Sequence, residues 1–205
     1  INLRAITYLS YTPTFNVYEV RMTKYTKSLL MIFFITNIIF GQDPELLLKN
    51  GRSMMKEGSI SEAESLFERA LKIDPTFAPA HVGLSECWLH KGDLNKANEH
   101  AIKAVQMDEE FRTWSNDLND IRNRIQNGKR NVQQGLYDEA LKEYNAILKK
   151  HPYYPEAPFY MGLTKFRQKD IESAAGYFKQ ALDIYPDHQK ARKGLDNVTK
   201  QFLNS

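Results

Sequence analysis

The chain has 205 residues, 28 of them basic and 25 acidic, for a net charge of +3. Residues 1–41 hold four of the basic residues and one of the acidic ones, so the remainder is neutral. A neutral body excludes nucleic acid as the main partner, because phosphate binding needs a basic surface. A single cysteine, Cys87, excludes an internal disulfide and is expected to be a small buried apolar residue.

Residues 1–21 begin at Ile1 and show no convincing periodicity, and translation is expected to start at Met22. From Met22 the order is that of an export signal. Lys24 and Lys27 come first, then a largely apolar run from Leu29 to Phe40, then Gly41 before Gln42. Twelve helical residues rise about 18 Å, short of the roughly 30 Å of a membrane core. Residues 22–41 are therefore expected to be a cleaved signal peptide, giving a periplasmic or secreted protein. The alternative is a membrane anchor through residues 29–40.

Residues 42–205 form the body. Asp43-Pro44-Glu45 reads as a helix start, with Asp43 as cap and Pro44 in the first turn. Four later segments align without gaps: GSISEAESLFERALKIDP, GDLNKANEHAIKAVQMDE, GLYDEALKEYNAILKKHP and KDIESAAGYFKQALDIYP. Their shared alanines are Ala63, Ala97, Ala140 and Ala174, separated by 34, 43 and 34 residues. Four residues on stand Phe67, Ala101, Tyr144 and Phe178, and three further Ala70, Ala104, Ile147 and Ala181. Pro75, Glu109, Pro152 and Pro186 follow five beyond. Gly58, Gly92, Gly135 and Lys169 open the segments, and a small residue recurs upstream at Gly51, Ser85, Gly128 and Gly162.

Each position has a physical cause. Glycine ends the preceding helix in a left-handed conformation. Asp93, Asp170 and Ser59 are expected to cap the next helix, Ser59 with Glu62 at capping-box spacing. Alanine lets two helices approach, the aromatic four residues on fills the groove between them, and proline stops the helix.

With this spacing in four copies, the sequence resembles tetratricopeptide repeats, paired antiparallel helices of 34 residues per unit, over roughly residues 44–186. The resemblance implies an all-α, right-handed α-solenoid with repeats at 44–77, 78–111, 121–154 and 155–188. His81, Arg124 and Pro158 depart from the family's usual large apolar residue, and Asn50 and Asn127 from its leucine.

The 43-residue separation adds nine residues. Phe111, Trp114, Leu118, Ile121, Ile125, Gly128 and Val132 follow a 3-4 spacing, one continuous helical stripe. The first helix of the third repeat is therefore expected to lengthen to about Glu109–Gln133, with Asp108 as cap. Its overhang, Phe111, Trp114 and Leu118, is expected either to pack on the second repeat or to form an exposed ridge for a partner. Residues 187–203 carry His188, Ala191, Leu195, Val198 and Phe202 on one stripe, which reads as the terminal capping helix that a solenoid needs.

No catalytic constellation is present. The five histidines lack paired metal spacing and the glycines sit singly at turns, so no enzyme activity, metal or cofactor is expected. The resemblance instead implies a concave groove lined by the first helix of each repeat. Carried over, its lining is Leu48, Arg52 and Met55 in the first repeat and Val82, Glu86 and Leu89 in the second. The third contributes Ile125, Lys129 and Val132, and the fourth Phe159, Leu163, Phe166 and Arg167. Such a surface suits a protein or peptide partner. Some relatives clamp a terminal carboxylate with Lys and Asn where this chain has Leu48 and Arg52, so that clamp is not expected. The function expected is an exported binding scaffold, in envelope assembly among other settings. The alternatives are an accessory subunit of an enzyme or membrane complex, and a self-associating structural protein.

Overall fold

The computed structural model describes residues 43–203. The expected upstream segment and export signal, residues 1–41, lie outside the described residues. Those described form nine α-helices, and no strand occurs among them. They are α1 (Pro44–Lys56), α2 (Ile60–Ile73), α3 (Ala78–His90), α4 (Leu94–Met107), α5 (Arg112–Gln133), α6 (Tyr137–Lys150), α7 (Glu156–Arg167), α8 (Ile171–Ile184) and α9 (Gln189–Leu203). Three-residue turns join the members of each of the first four pairs, which makes them antiparallel neighbours. The architecture is an all-α stack of four helix pairs closed by α9.

The turns follow the residues that open each segment. Gly58, Gly92 and Gly135 adopt φ of 81°, 79° and 77°. Lys169 takes the same left-handed conformation at φ 63° with a full side chain. Asp43 accepts from the Glu45 amide, Asp93 from that of Lys96 and Asp170 from that of Ser173, at 3.0, 3.0 and 3.1 Å. Ser59 does not cap α2: its side chain makes no such bond, and the expected capping box is absent.

The aromatics of α2 and α8 each lie between glycines of two neighbouring helices. A Cβ built on Gly51 or Gly83 would fall 2.4 or 2.7 Å from the ring of Phe67. Gly162 and Gly194 hold Phe178 in the same way, at 2.7 and 2.8 Å. Gly194 belongs to α9, so the last helix completes the sandwich that a further repeat would otherwise supply, with Ala191 and Val198 buried beside it. In the third repeat Tyr144 meets Gly128 on one side and stacks with Tyr160 on the other, ring centroids 5.4 Å apart.

The second repeat has Ala101 at the aromatic position, and the lengthened helix fills the gap. Leu118 is 1% exposed and joins Ala97 and Ala101 in one core cluster, with Trp114 packed against it. The Trp114 indole donates to the Ser85 hydroxyl at 2.8 Å, and that hydroxyl donates to the Ala97 carbonyl at 2.7 Å. The exposed-ridge expectation is therefore corrected: Leu118 is core and Trp114 and Phe111 are half-buried. The helix also starts later than expected. Asp108 accepts from the Glu110 amide and shapes a 3₁₀ turn, Glu109–Phe111, and α5 begins only at Arg112.

Candidate functional site

The first helices α1, α3, α5 and α7 present the residues that the repeat spacing assigns to a groove, but the groove is not a uniform channel. Tyr153, in the turn before α7, lies flat on His90 at the end of α3, with ring centroids 4.2 Å apart and planes 8° from parallel. Next to it, Tyr154 is fully buried in the cluster that holds Leu89 and Ile121. This aromatic corner divides the face in two.

On the N-terminal side is a recess of about 260 Å³ lined by Arg52, Met55, Lys56, Glu86, His90 and Tyr153. Burial raises the pKa of Glu86, and Arg52 opposes the shift. Burial alone lowers that of His90 to about 4, so the ring stacked on Tyr153 is neutral.

On the C-terminal side is a larger recess of about 540 Å³. One wall is α5, with Arg122, Ile125, Gln126 and Lys129. The start of α7 supplies Glu156 and Tyr160, the turn before α9 supplies His188, and the first turn of α9 supplies Lys190. The opposite rim is the α3–α4 turn and the first residues of α4, Lys91–Asn95. That turn can come so close because residue 92 has no side chain: a Cβ there would lie 3.3 Å from Glu156 Cγ and 3.4 Å from Pro155 Cγ.

The charges in this recess are unevenly committed. Glu156 is buried, and its Oε1 lies 3.2 Å from His188 Nε2 and 3.1 Å from Lys190 Nζ. Burial pushes its pKa up, but the hydrogen bond to His188 and the Lys190 charge outweigh this and hold it below the usual value. Asp93 is occupied as the α4 cap. Lys91 pairs with Glu64 on α2. The Lys129 ammonium rests 4.6 Å above the centre of the Tyr160 ring. Among the described residues, no carboxylate forms an ion pair with Arg122 or Lys129.

The expected lining residues divide by exposure. Arg52, Lys129, Leu163, Phe166 and Arg167 are exposed, and Met55, Glu86 and Val132 are half-buried. Leu48, Val82, Leu89, Ile125 and Phe159 are buried. Leu89 is a correction: it is 0% exposed because the Tyr154 corner and α7 pack over it, so it presents nothing to a partner. Arg122, Gln126, Glu156, Tyr160 and Lys190 were not among the expected residues. A trace of them was present, since Arg122, Gln126 and Lys129 fall on one helical face at 4-3 spacing. What the spacing could not give was the opposite rim at Gly92.

Tetratricopeptide repeat family models match residues 54–109 and 126–188, together more than half of the chain. Over 60 residues the chain is 39% identical to the TPR repeat-containing protein YsoA of Bacillus subtilis (strain 168), a stretch amounting to 29% of this chain and 18% of YsoA. The chain thus spans less than a fifth of that relative's length. Among solved structures it is similar to YrrB, described as a TPR protein with an unusual peptide-binding site, at 20% identity and TM-score 0.35, covering 78% of this chain and 96% of that one. A second is the MamA protein, at 17% identity and TM-score 0.37, covering 78% and 82%. Four helix pairs with small, alanine, aromatic and alanine positions in register, and two family matches over them, make this chain a member of the tetratricopeptide repeat family.

Proposed function

We propose that this protein is a non-enzymatic scaffold that binds protein or peptide segments on the face formed by its first helices, and that it works outside the cytoplasm, in envelope assembly. The observation that carries the binding reading is that the 540 Å³ and 260 Å³ recesses are both lined by residues of the first helices. On the same helix as Glu156 and Tyr160 of the larger recess, Leu163 and Phe166 are 36% and 37% exposed. Family membership supports the same reading, since such repeats change partners by surface substitution on a constant scaffold. The export reading is supported by the order of charge, apolar run and small residue over Lys24–Gly41.

The binding reading is tested by a photo-crosslinking amino acid placed at Leu163 or Phe166 in cells, and at Ile73 or Ile102, which are exposed on second helices. Adducts are expected from the first pair of positions and not from the second; equal labelling from both would remove the reading. Export is tested by tagging the C-terminus, fractionating cells and measuring the intact mass. A species beginning at Gln42 outside the cytoplasm is expected. A membrane-bound species that retains Leu29–Phe40 would make the repeats the arm of a membrane complex.

A further inference from the structure

His81, in the first turn of α3, and His100, in the middle of α4, are 19 positions apart, and the antiparallel packing of the two helices brings their rings together. Nδ1 of one lies 3.1 Å from Nδ1 of the other, with ring centroids 5.3 Å apart and planes tilted by 36°. His81 is 7% exposed and His100 is half-buried, so solvent reaches the pair from the α4 side. Without an ion, one ring donates its Nδ1 proton to the other. The same separation is also the bite of a single metal ion. Imidazole nitrogens bind zinc at about 2.0–2.1 Å, which puts two neighbouring ligands about 2.8–3.4 Å apart between right-angled and tetrahedral geometry. Burial lowers the pKa of both rings, so both are neutral and hold a lone pair at neutral pH. Two charged groups act on the pair: Lys103 on α4 opposes a cation, and Glu64 on α2, itself bound to Lys91, offsets Lys103 at His100.

We propose that His81 and His100 form an open site for one divalent transition-metal ion, zinc or copper, held by the two Nδ1 atoms with water in the remaining positions. The ion lies off the line between the nitrogens. The ring that carried its proton on Nδ1 carries it on Nε2 instead, so no proton is released. Among the described residues no third histidine, cysteine or carboxylate completes a ligand group, which leaves the site open. Two neutral imidazoles select against magnesium and calcium, which take oxygen ligands. Neither histidine lines either recess, so the site is independent of the scaffold reading. Spacing along the chain hid it, because neither ring is paired within its own helix.

The test is calorimetric titration of the full chain, stripped with EDTA and freed of the chelator, with zinc sulfate, and electron paramagnetic resonance after one equivalent of copper sulfate. One zinc per chain is expected, and a copper signal coupled to two nitrogens. His81→Gln and His100→Gln are each expected to weaken zinc binding about tenfold or more, at unchanged helix content by circular dichroism, and to remove the two-nitrogen coupling. Should His81→Gln lose helix content, the half-buried His100 carries the test. Lys103→Gln is expected to tighten binding about threefold by removing the opposing charge, to which an ion on other histidines would not respond. Magnesium is expected to give no heat of binding. An unchanged zinc affinity in His100→Gln overturns the proposal, and so does two-nitrogen coupling that survives replacement of both histidines. Binding of neither zinc nor copper also overturns it and leaves the contact a hydrogen bond alone.

Discussion

Lys169 occupies the left-handed conformation that the other three within-pair turns give to glycine, at φ 63° against 77–81°. A residue with a Cβ is strained there by about 1–2 kcal/mol. Lys169→Gly is therefore expected to raise stability by about 1 kcal/mol in urea unfolding, after the entropy that glycine adds to the unfolded chain. The histidine pair gives a second expectation. His81 Nδ1 and His100 Nδ1 lie 3.1 Å apart, a contact that needs at least one neutral ring. Burial, then His100 and Lys103, lower the pKa of His81 to about 4, while burial and Lys103 lower that of His100 and Glu64 on α2 opposes. An unfolded histidine titrates near 6.5. The fold therefore favours the neutral form. The stability it contributes is fully present above about pH 6.5 and is lost as the pH falls from there toward 4. Urea midpoints should drop over that window, and His81→Phe should flatten part of the drop; an unchanged slope would place the acid sensitivity elsewhere. Residue by residue, the repeat positions were readable from spacing because each recurs four times. The histidine contact was not, since the two rings are 19 positions apart and share no periodicity.

The helix α5 shows what a pattern can and cannot specify. Its 3-4 stripe from Phe111 to Val132 predicted one long helix, and α5 spans Arg112–Gln133. The start was misplaced by three residues: Asp108 does accept from Glu110, but the residues that follow it form a 3₁₀ turn before α5 begins. The capping aspartates were readable from residue type, but Ser59, at the matching position and with a similar backbone, makes no cap bond. The role of the nine extra residues follows from Ala101: where the other repeats have Phe67, Tyr144 and Phe178, the second repeat borrows Trp114 and Leu118. Trp114→Ala is therefore expected to cost about 2–4 kcal/mol, since it opens a cavity and leaves the Ser85 hydroxyl without its donor. Hydrogen exchange should show the loss concentrated in α3 and α4. A loss confined to α5 would mean that the overhang does not complete the second repeat.

How the repeats wind around one another was the least readable level. The fold class followed from local spacing, whereas the recess depends on the α3–α4 turn reaching the start of α7, a meeting of residues more than 60 positions apart. Gly92→Ala tests that meeting. Both Gly92 and Gly135 have positive φ, but a Cβ at Gly135 would meet nothing within 4 Å, while one at Gly92 would press on Glu156 and Pro155. Gly92→Ala should therefore cost about 1 kcal/mol more than Gly135→Ala; equal losses would show that the turn does not press on the fourth repeat. The borrowed tryptophan also bears on how the chain is made. In the first and fourth repeats the aromatic that fills the groove, Phe67 or Phe178, belongs to the pair itself, and the following helix only covers it. Here α3 and α4 emerge with a vacancy at Ala101 that is filled only when Trp114 and Leu118 have followed. The second repeat is thus ordered in time by the third, and a nascent chain stalled before Trp114 should remain open to proteases that the finished protein resists.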